Sequence, residues 1–538
     1  MITVCCEGHD FYYPICDVLR LFCGTVPKQQ ENLVVAEFVG GVPDKDISGS
    51  VFGSKVRGAI SGPDGNPSVC SLSGGDPFRE LRIVSRVTET SVETFVEDIA
   101  CEELRIAVMR EDLSLPLNRE VKRQLYFLLS RVTGKAFPWG SLTGIRPTQV
   151  ARELFREEEM TSIYGVREDK AHLAFVTRDG EDAVLKDSDP ESLHVYIGIP
   201  FCPTRCSYCS FISQEAPRKR ELLPLYVDAV LREMDLVLPG IGRPIETLYI
   251  GGGTPTVLDE VLFERFIKGV FAHPQLSHLK EVCVEAGRPD TITERKLQVL
   301  RDHGVSRICI NPQTLCDATL LRVGRQHSAE DFEQAFSLAR GMGFDVVNTD
   351  LIAGLPGESS AEFCASLSRI VEMGPENITV HSLYKKRRAD LSREDVVRME
   401  QEDLLRMEEM LGFAFSTLTA AGYAPYYMYK QKDTIGGHEN VGYQRGGTAC
   451  LYNVAMMSDL RSVLSFGAGG MSKRVFLGDD RKDEQRDEQR FEQKAEGTVL
   501  LPKNPVNARV ERCSCIKDPI QYIQNVETMA EKKRAFFA

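Results

Sequence analysis

A chain of 538 residues, 42% hydrophobic and 27% charged, is too long for one ordinary core and has the composition of a globular protein of roughly three to four units. Its formal charge of −13 argues against an electrostatically driven nucleic-acid binder, because phosphate binding needs a basic face. No run approaches the roughly 18 apolar residues of a membrane span, and the start, MITVCCEGHDFYYP, lacks the pattern of a signal peptide. A cytoplasmic protein without a membrane span is expected, with its 16 cysteines reduced.

Residues 1–185 read as an N-terminal α+β accessory domain. It holds a Gly/Ser/Pro-rich stretch from Ile60 to Pro77 and a helical pattern from about Asn118 to Thr133. The segment PWGSLTGIRPTQ (138–149) contains the one tryptophan, Trp139, and places Arg146-Pro147 ahead of a helix; it reads as a turn and a helix N-terminus packed by Trp139.

From 186 to 425 the pattern becomes strand, loop, helix, repeated. LHVYIGIPF, TLYIGGG, EVCVEAGR, RICINPQT, DVVNTDLIAGLP and NITVHSLY read as short apolar strands. Amphipathic stretches at Leu222–Leu238, Asp259–Phe271, Ala329–Gly341 and Ala361–Met373 separate them. Such alternation implies parallel β/α units with right-handed crossovers, and six units predict a partial barrel. Active-site residues of such barrels sit at the C-terminal strand ends, which here carry Cys202, Gly251–Gly253, Glu285, Gln313, Asp350 and Ser382. Residues 426–538 read as a C-terminal mixed α/β extension covering the barrel mouth, with a charged, solvated insertion at 479–496 that contains a tandem DEQR.

The first strand runs into PFCPTRCSYCSF, with Cys202, Cys206 and Cys209 spaced CxxxCxxC. A structural zinc site takes four Cys or His ligands, and no second CxxC or histidine lies nearby. Iron–sulfur clusters are also held by thiolates, usually four, and three would leave one iron of a [4Fe-4S] cluster open. A CxxxCxxC loop after the first strand of a β/α barrel resembles the radical S-adenosylmethionine (SAM) superfamily. YIGIPFC, YIGGGTPT, VEAGRPDTIT, NPQT, NTDLIAGLPGE and FGAG resemble its oxygen-independent coproporphyrinogen III oxidase (dehydrogenase) family, and PWGSLTGIRPT and HENVGY the HemZ-type branch.

The resemblance implies a [4Fe-4S] cluster on Cys202, Cys206 and Cys209, with S-adenosyl-L-methionine on the open iron, cleaved to a 5′-deoxyadenosyl radical. It implies that Tyr196 stands beside cluster and cofactor as a catalytic residue, and that Tyr208 packs on adenine. Gly251, Gly252, Gly253 and Thr254 match the motif that meets the cofactor's amino group through the main chain. Glu285, Gln313 and Asp350 match positions around its amine and ribose hydroxyls, and Arg325 the arginine that pairs with its carboxylate.

The implied reaction is oxidative decarboxylation of coproporphyrinogen III propionates to vinyl groups, forming protoporphyrinogen IX, with an electron donor such as a flavodoxin or ferredoxin. A tetrapyrrole substrate with four carboxylates calls for local cations, for which Lys385, Lys386, Arg387 and Arg388 after the sixth strand are the candidates and Arg288 a second. Two alternatives share the same cluster motifs: a haem or tetrapyrrole carrier, and a radical enzyme with another substrate. At the place of the His-Asn-x-x-Tyr-Trp motif of the haem-chaperone relatives the chain has YNVAMM (452–457), which leaves His438 as the nearby histidine. Where one family member carries a further cysteine, this chain has Phe211.

Overall fold

In the computed structural model, residues 1–23, 27–36, 81–97, 102–144, 146–209, 213–383, 401–431, 434, 437–476 and 509–538 are described. The stretches at 60–77 and 479–496 lie outside them. The N-terminal strands β1 (Ile2–Glu7), β2 (Lys28–Gln30), β3 (Leu33–Ala36), β4 (Leu81–Val87), β5 (Ser91–Val96) and β6 (Arg105–Met109) form one sheet in the order β2-β3-β1-β4-β5-β6. Along β1 the residues alternate in burial, and Ile2, Val4 and Cys6 face the core. Helices Tyr12–Cys23 and Leu117–Thr133 cover that face with Ile15, Val18, Leu19, Val121, Leu125 and Leu128.

The larger sheet contains β7 (Leu193–Ile199), β10 (Ile245–Gly252), β11 (Glu281–Gly287), β12 (Arg307–Ile310), β13 (Val346–Ala353) and β14 (Asn377–Ser382) as consecutive parallel neighbours. A two-stranded ladder, β8 (Phe201–Cys202) with β9 (Gln214–Glu215), lies between β7 and β10 in the chain. The six parallel strands are those expected from the sequence. Their near-continuous apolar runs reflect burial on both faces, as parallel sheets require. Helices between them start where a side chain satisfies open N–H groups: Asp259 accepts from Leu262 N at 2.9 Å, and Ser328 and Ser359 form capping boxes with Asp331 and Glu362.

Strands from beyond residue 423 continue the sheet at both edges: β15 (Ala424–Lys430) and β16 (Glu439–Gln444) past β14, and β17 (Ser462–Phe466), β18 (Met471–Phe476) and β19 (Arg509–Ser514) past β7. β17 is parallel to β7 and makes a seventh parallel strand. The SVLSF run behind it is five residues long and no helix follows directly, so it carries no β/α signature. Among the described residues β15 and β19 are the sheet edges, so the sheet is open, as a partial barrel requires. Among the described residues no helix is long and apolar enough to cross a membrane.

Of the C-terminal unit expected over the mouth, helix Leu451–Ser458 closes the opposite end of the barrel. Its first N–H groups, on Leu451 and Tyr452, donate to the carboxylate of Glu281 at the start of β11, at 3.1 Å each. A carboxylate there offsets both the unpaired N–H groups and the positive end of the helix dipole. The helix carries Tyr452 into the barrel, onto Tyr249 and Tyr196.

Three polar clusters join distant parts of the chain. Trp139 Nε1 donates to Glu439 Oε2 at 2.6 Å, Lys170 Nζ reaches Glu439 Oε1 at 2.5 Å, and the Lys430 ammonium lies 5.0 Å from the Trp139 ring centroid. Arg146, from the same 138–149 motif, pairs with Asp459, so that segment docks on the C-terminal strands. At the other edge, the carboxylate of Glu233 is fully buried and accepts from Lys533 Nζ (2.5 Å), the Tyr522 hydroxyl (2.6 Å) and Gly467 N (3.1 Å). Removing one partner of a buried ion pair strands the other charge and typically costs about 3–5 kcal/mol. Lys533→Met is therefore expected to lower the unfolding free energy by about that amount, read as a lower denaturation midpoint in urea. A midpoint equal to wild type would show that the C-terminal helix is not anchored through Glu233.

Candidate active site

The cysteine loop leaves the barrel at the end of β7 and docks on two neighbours. Ser207 N donates to Val323 O at 3.0 Å and Thr204 Oγ1 to Gly324 O at 3.2 Å, tying the loop to the turn before Arg325. Cys206 is buried, whereas Cys202 and Cys209 are half-buried. Donors point at the thiols: Thr254 Oγ1 lies 3.6 Å from Cys202 Sγ and Arg288 Nη1 3.8 Å from Cys206 Sγ. Burial pushes the Cys202 thiol up to about 11, with Cys209 and Cys206 adding to the rise against the pull of Thr254. Among the described residues no three or more His, Cys, Asp or Glu side chains are grouped to hold a metal ion. A four-iron cluster takes each thiolate on a different iron, so three thiolates leave one iron open.

Beside the loop, the turn after β10 is shaped by absent side chains. Gly253 N donates to Ile199 O at 2.8 Å and Thr254 N to Phe201 O at 2.7 Å. A Cβ at Gly253 would stand 2.4 Å from Phe201 O, and Gly252 adopts a φ of +108° with the Tyr196 hydroxyl 3.1 Å from its Cβ position. Only glycine tolerates both the backbone approach and the left-handed geometry.

Inside the barrel, Tyr249 stacks on Tyr452 at 4.5 Å, and Tyr196 stacks on both at 6.2 and 6.1 Å. Above them, Glu285 accepts from the Tyr249 hydroxyl at 2.6 Å and from Gly252 N at 3.3 Å. Burial raises the Glu285 carboxyl to about 7; the Tyr249 hydroxyl pulls it down, and the Asp350 charge pushes it up. Asp350 accepts from Asn348 Nδ2 at 2.8 Å and lies 3.7 Å from His381 Nε2. Burial works to raise its pKa, but His381 and its hydrogen bonds outweigh that, so this carboxyl stays below its ordinary value.

Gln313 has a left-handed φ of +70° and is buried with its Oε1 unpartnered, as is Asn311 Oδ1. Orphaned buried acceptors at a strand end are unusual, and they fit a ligand that brings donors. The Arg325 guanidinium is buried. Its Nε donates to the Tyr208 hydroxyl at 3.0 Å and its Nη1 to the carbonyls of Asn311 and Pro312, so it fixes the aromatic ring between Cys206 and Cys209.

The structure therefore brings Tyr196, Gly251–Gly253, Glu285 and Asp350 into one linked set, and Cys202, Cys206, Cys209, Tyr208, Thr254 and Arg325 into a second set beside it. Lys385, Lys386, Arg387 and Arg388 lie outside the described residues. Arg288 is corrected: it was expected as a substrate cation, but it is 3% exposed, bidentate to Asp290 at 2.9 and 3.0 Å, and bonded to Thr204, so it braces the cysteine loop. His438 is buried beside Glu439 and has no open face. Sequence reasoning missed Tyr249, Tyr452 and His381. Tyr249 stands two residues before Gly251, so the period of two puts it on the same face and was a usable signal; Tyr452 begins the YNVAMM segment at the place of the haem-chaperone motif, but nothing in the sequence ties it to Tyr249.

Residues 196–370 match the Radical SAM superfamily. The chain is 35% identical over 363 residues (64% of this chain, 72% of the relative) to the oxygen-independent coproporphyrinogen-III oxidase-like protein HemZ of Bacillus subtilis (strain 168). It is 30% identical over 267 residues to the heme chaperone HemW of Escherichia coli (strain K12), covering 49% of this chain and 65% of that protein, just under two thirds of its length. Among solved structures, coproporphyrinogen III oxidase (HemN) of Escherichia coli superimposes with a TM-score of 0.43 at 23% identity, covering 57% of this chain and 72% of that one.

Cys202→Ala, Cys206→Ala and Cys209→Ala are each expected to abolish the iron–sulfur absorption of the anaerobically reconstituted protein. Gly253→Ala, which drives a Cβ into Phe201 O, is expected to lower iron content severalfold, whereas Gly242→Ala, open on all sides, leaves it unchanged. Full iron content in Gly253→Ala would separate the glycine turn from the cysteine loop.

Proposed function

We propose that this chain, which belongs to the radical SAM superfamily and within it to the HemZ-type, coproporphyrinogen-III oxidase-like family, decarboxylates the propionate side chains of coproporphyrinogen III to vinyl groups. The superfamily uses a [4Fe-4S] cluster and S-adenosylmethionine, which together supply a radical able to abstract hydrogen. The reading is carried by one observation: the cysteine loop, the glycine turn and the half-buried carboxylates of Glu285 and Asp350 stand at the same end of consecutive parallel strands.

In this reading Cys202, Cys206 and Cys209 hold the cluster, and Thr254 and Arg288 donate to its thiolates. Gly251–Gly253 present main chain to the cofactor's amino group, while Glu285, Asp350 and Gln313 accept from its N–H and O–H groups. Tyr208 packs on adenine, held by Arg325, whose remaining N–H donors serve the cofactor's carboxylate. Tyr196, half-buried against Gly252, lines the floor and helps exclude water from the reacting centre. Lys385, Arg387 and Arg388 follow the C-terminal end of β14 within six residues of Ser382 and are proposed to meet the substrate carboxylates.

A second reading, a haem or tetrapyrrole carrier, draws on the 30% identity to the chaperone. The burial of His438 and the tyrosine at position 452 weigh against it. Both readings are separated by anaerobic incubation of the reconstituted protein with S-adenosylmethionine, a strong reductant and coproporphyrinogen III, with products read by mass spectrometry. Loss of two carboxyl groups together with 5′-deoxyadenosine is the expected result. Intact coproporphyrinogen III, with stoichiometric haem binding instead, would replace the enzyme by the carrier.

A further inference from the structure

The contact between Tyr249 and Glu285 has no counterpart in the assignments above. Tyr249 is on β10 and Glu285 on β11, and both point into the barrel beside Gly251. A Cβ at Gly251 would lie 2.8 Å from both Glu285 Cδ and Tyr249 Cε1, so the missing side chain is what lets the hydroxyl and the carboxylate meet. The Tyr249 ring is held in turn by Tyr452, stacked at 4.5 Å and 24°, and that residue belongs to the helix capped by Glu281.

We propose that Tyr249 is a positioning residue for Glu285, and that Tyr452 of helix Leu451–Ser458 sets Tyr249. Their contact fixes the direction in which the Glu285 carboxylate presents its free lone pairs to S-adenosylmethionine. The inference rests on Glu285 being a cofactor contact, as proposed above. Each carboxylate oxygen has one protein donor, Tyr249 on Oε1 and Gly252 N on Oε2. A carboxylate has about four lone-pair sites, so both oxygens retain capacity for ligand donors.

The groups facing Glu285 are Tyr196 from β7, Cys309 from β12, Asp350 from β13, His381 from β14 and Tyr452 from the helix below. Burial and Asp350 favour the protonated acid; Tyr249, Gly252 and His381 favour the carboxylate. The Tyr249 hydroxyl can only stabilise the charged form as a donor, so its loss moves the Glu285 titration to higher pH. A protonated Glu285 offers fewer acceptor sites to a positively charged sulfonium cofactor. Affinity should therefore fall as pH drops through the Glu285 titration, and fall at a higher pH without Tyr249.

The test is equilibrium binding of S-adenosylmethionine to the iron–sulfur-reconstituted full chain from about pH 6 to 9, comparing wild type, Tyr249→Phe, Tyr452→Leu and Glu285→Gln. Titration of the cofactor itself is common to all four and cancels in the ratios. Tyr249→Phe is expected to retain its cluster absorption, bind about fivefold more weakly near pH 7 and recover toward wild type near pH 9, an upward displacement of about one pH unit. Tyr452→Leu, which removes the stack but not the hydroxyl, should show a smaller displacement in the same direction. A purely structural role would weaken binding equally at every pH. The same displacement is read without cofactor from pH-difference infrared spectra of the carboxyl band that is missing in Glu285→Gln. A Tyr249→Phe profile identical to wild type, with Glu285→Gln weakened, overturns the inference. Wild-type binding by Glu285→Gln overturns the underlying assignment of Glu285 instead.

Discussion

Two backbone hydrogen bonds, Gly253 N to Ile199 O at 2.8 Å and Thr254 N to Phe201 O at 2.7 Å, hold the end of β10 against the end of β7. Much of the candidate site depends on them. They extend the parallel register of Tyr249 with Tyr196 and Gly251 with Gly198 beyond the last regular pair, and so carry the glycine turn up to the cysteine loop. The side chains of Thr254 and Cys202 meet only because these main chains do. The cost is paid in sequence freedom: a residue with a Cβ at 253 would collide with strand backbone, which cannot rotate away as a side chain can.

Beneath that junction the barrel interior is not filled by aliphatic side chains. Tyrosines 196, 249 and 452, with Cys283 and Cys309 at a sulfur–sulfur distance of 3.7 Å, occupy the layer below the carboxylates. Aromatic pairs of this kind contribute about 0.5–1.5 kcal/mol each beyond their buried area, and their hydroxyls still need partners. Tyr249 finds its partner in Glu285, so one residue belongs both to the core and to the site. The helix Leu451–Ser458 supplies the bottom of this layer, held by Glu281, while Arg307 donates to the carbonyls of Thr448 and Ala449 just before it. The C-terminal part of the chain is thereby built into the floor of the barrel.

An acidic protein that handles anionic groups must concentrate its cations locally. Arg288 and Arg325 are both buried beside the cysteine loop, and each is held by fixed oxygen acceptors, Arg288 by Asp290 and Arg325 by main-chain carbonyls and Tyr208. Their charge therefore reaches the thiols through little intervening water, where electrostatic interactions are strong. The whole-chain charge of −13 says nothing about this arrangement.

The amino-acid sequence by itself determined the six parallel strands and the set of residues at their C-terminal ends. These follow from local information: apolar runs alternating with amphipathic helices, and motifs whose members are neighbours in the chain, such as Cys202–Cys209 and Gly251–Thr254. Tertiary structure alone decided which way Arg288 turns, that His438 is buried, and that Tyr452 meets Tyr249. Each of these involves partners far apart in the chain or a choice between solvent and a buried acceptor, and neither leaves a periodic trace in the sequence. The seventh parallel strand, β17, belongs to the same class: five apolar residues are compatible with many places, and only pairing with β7 selects one.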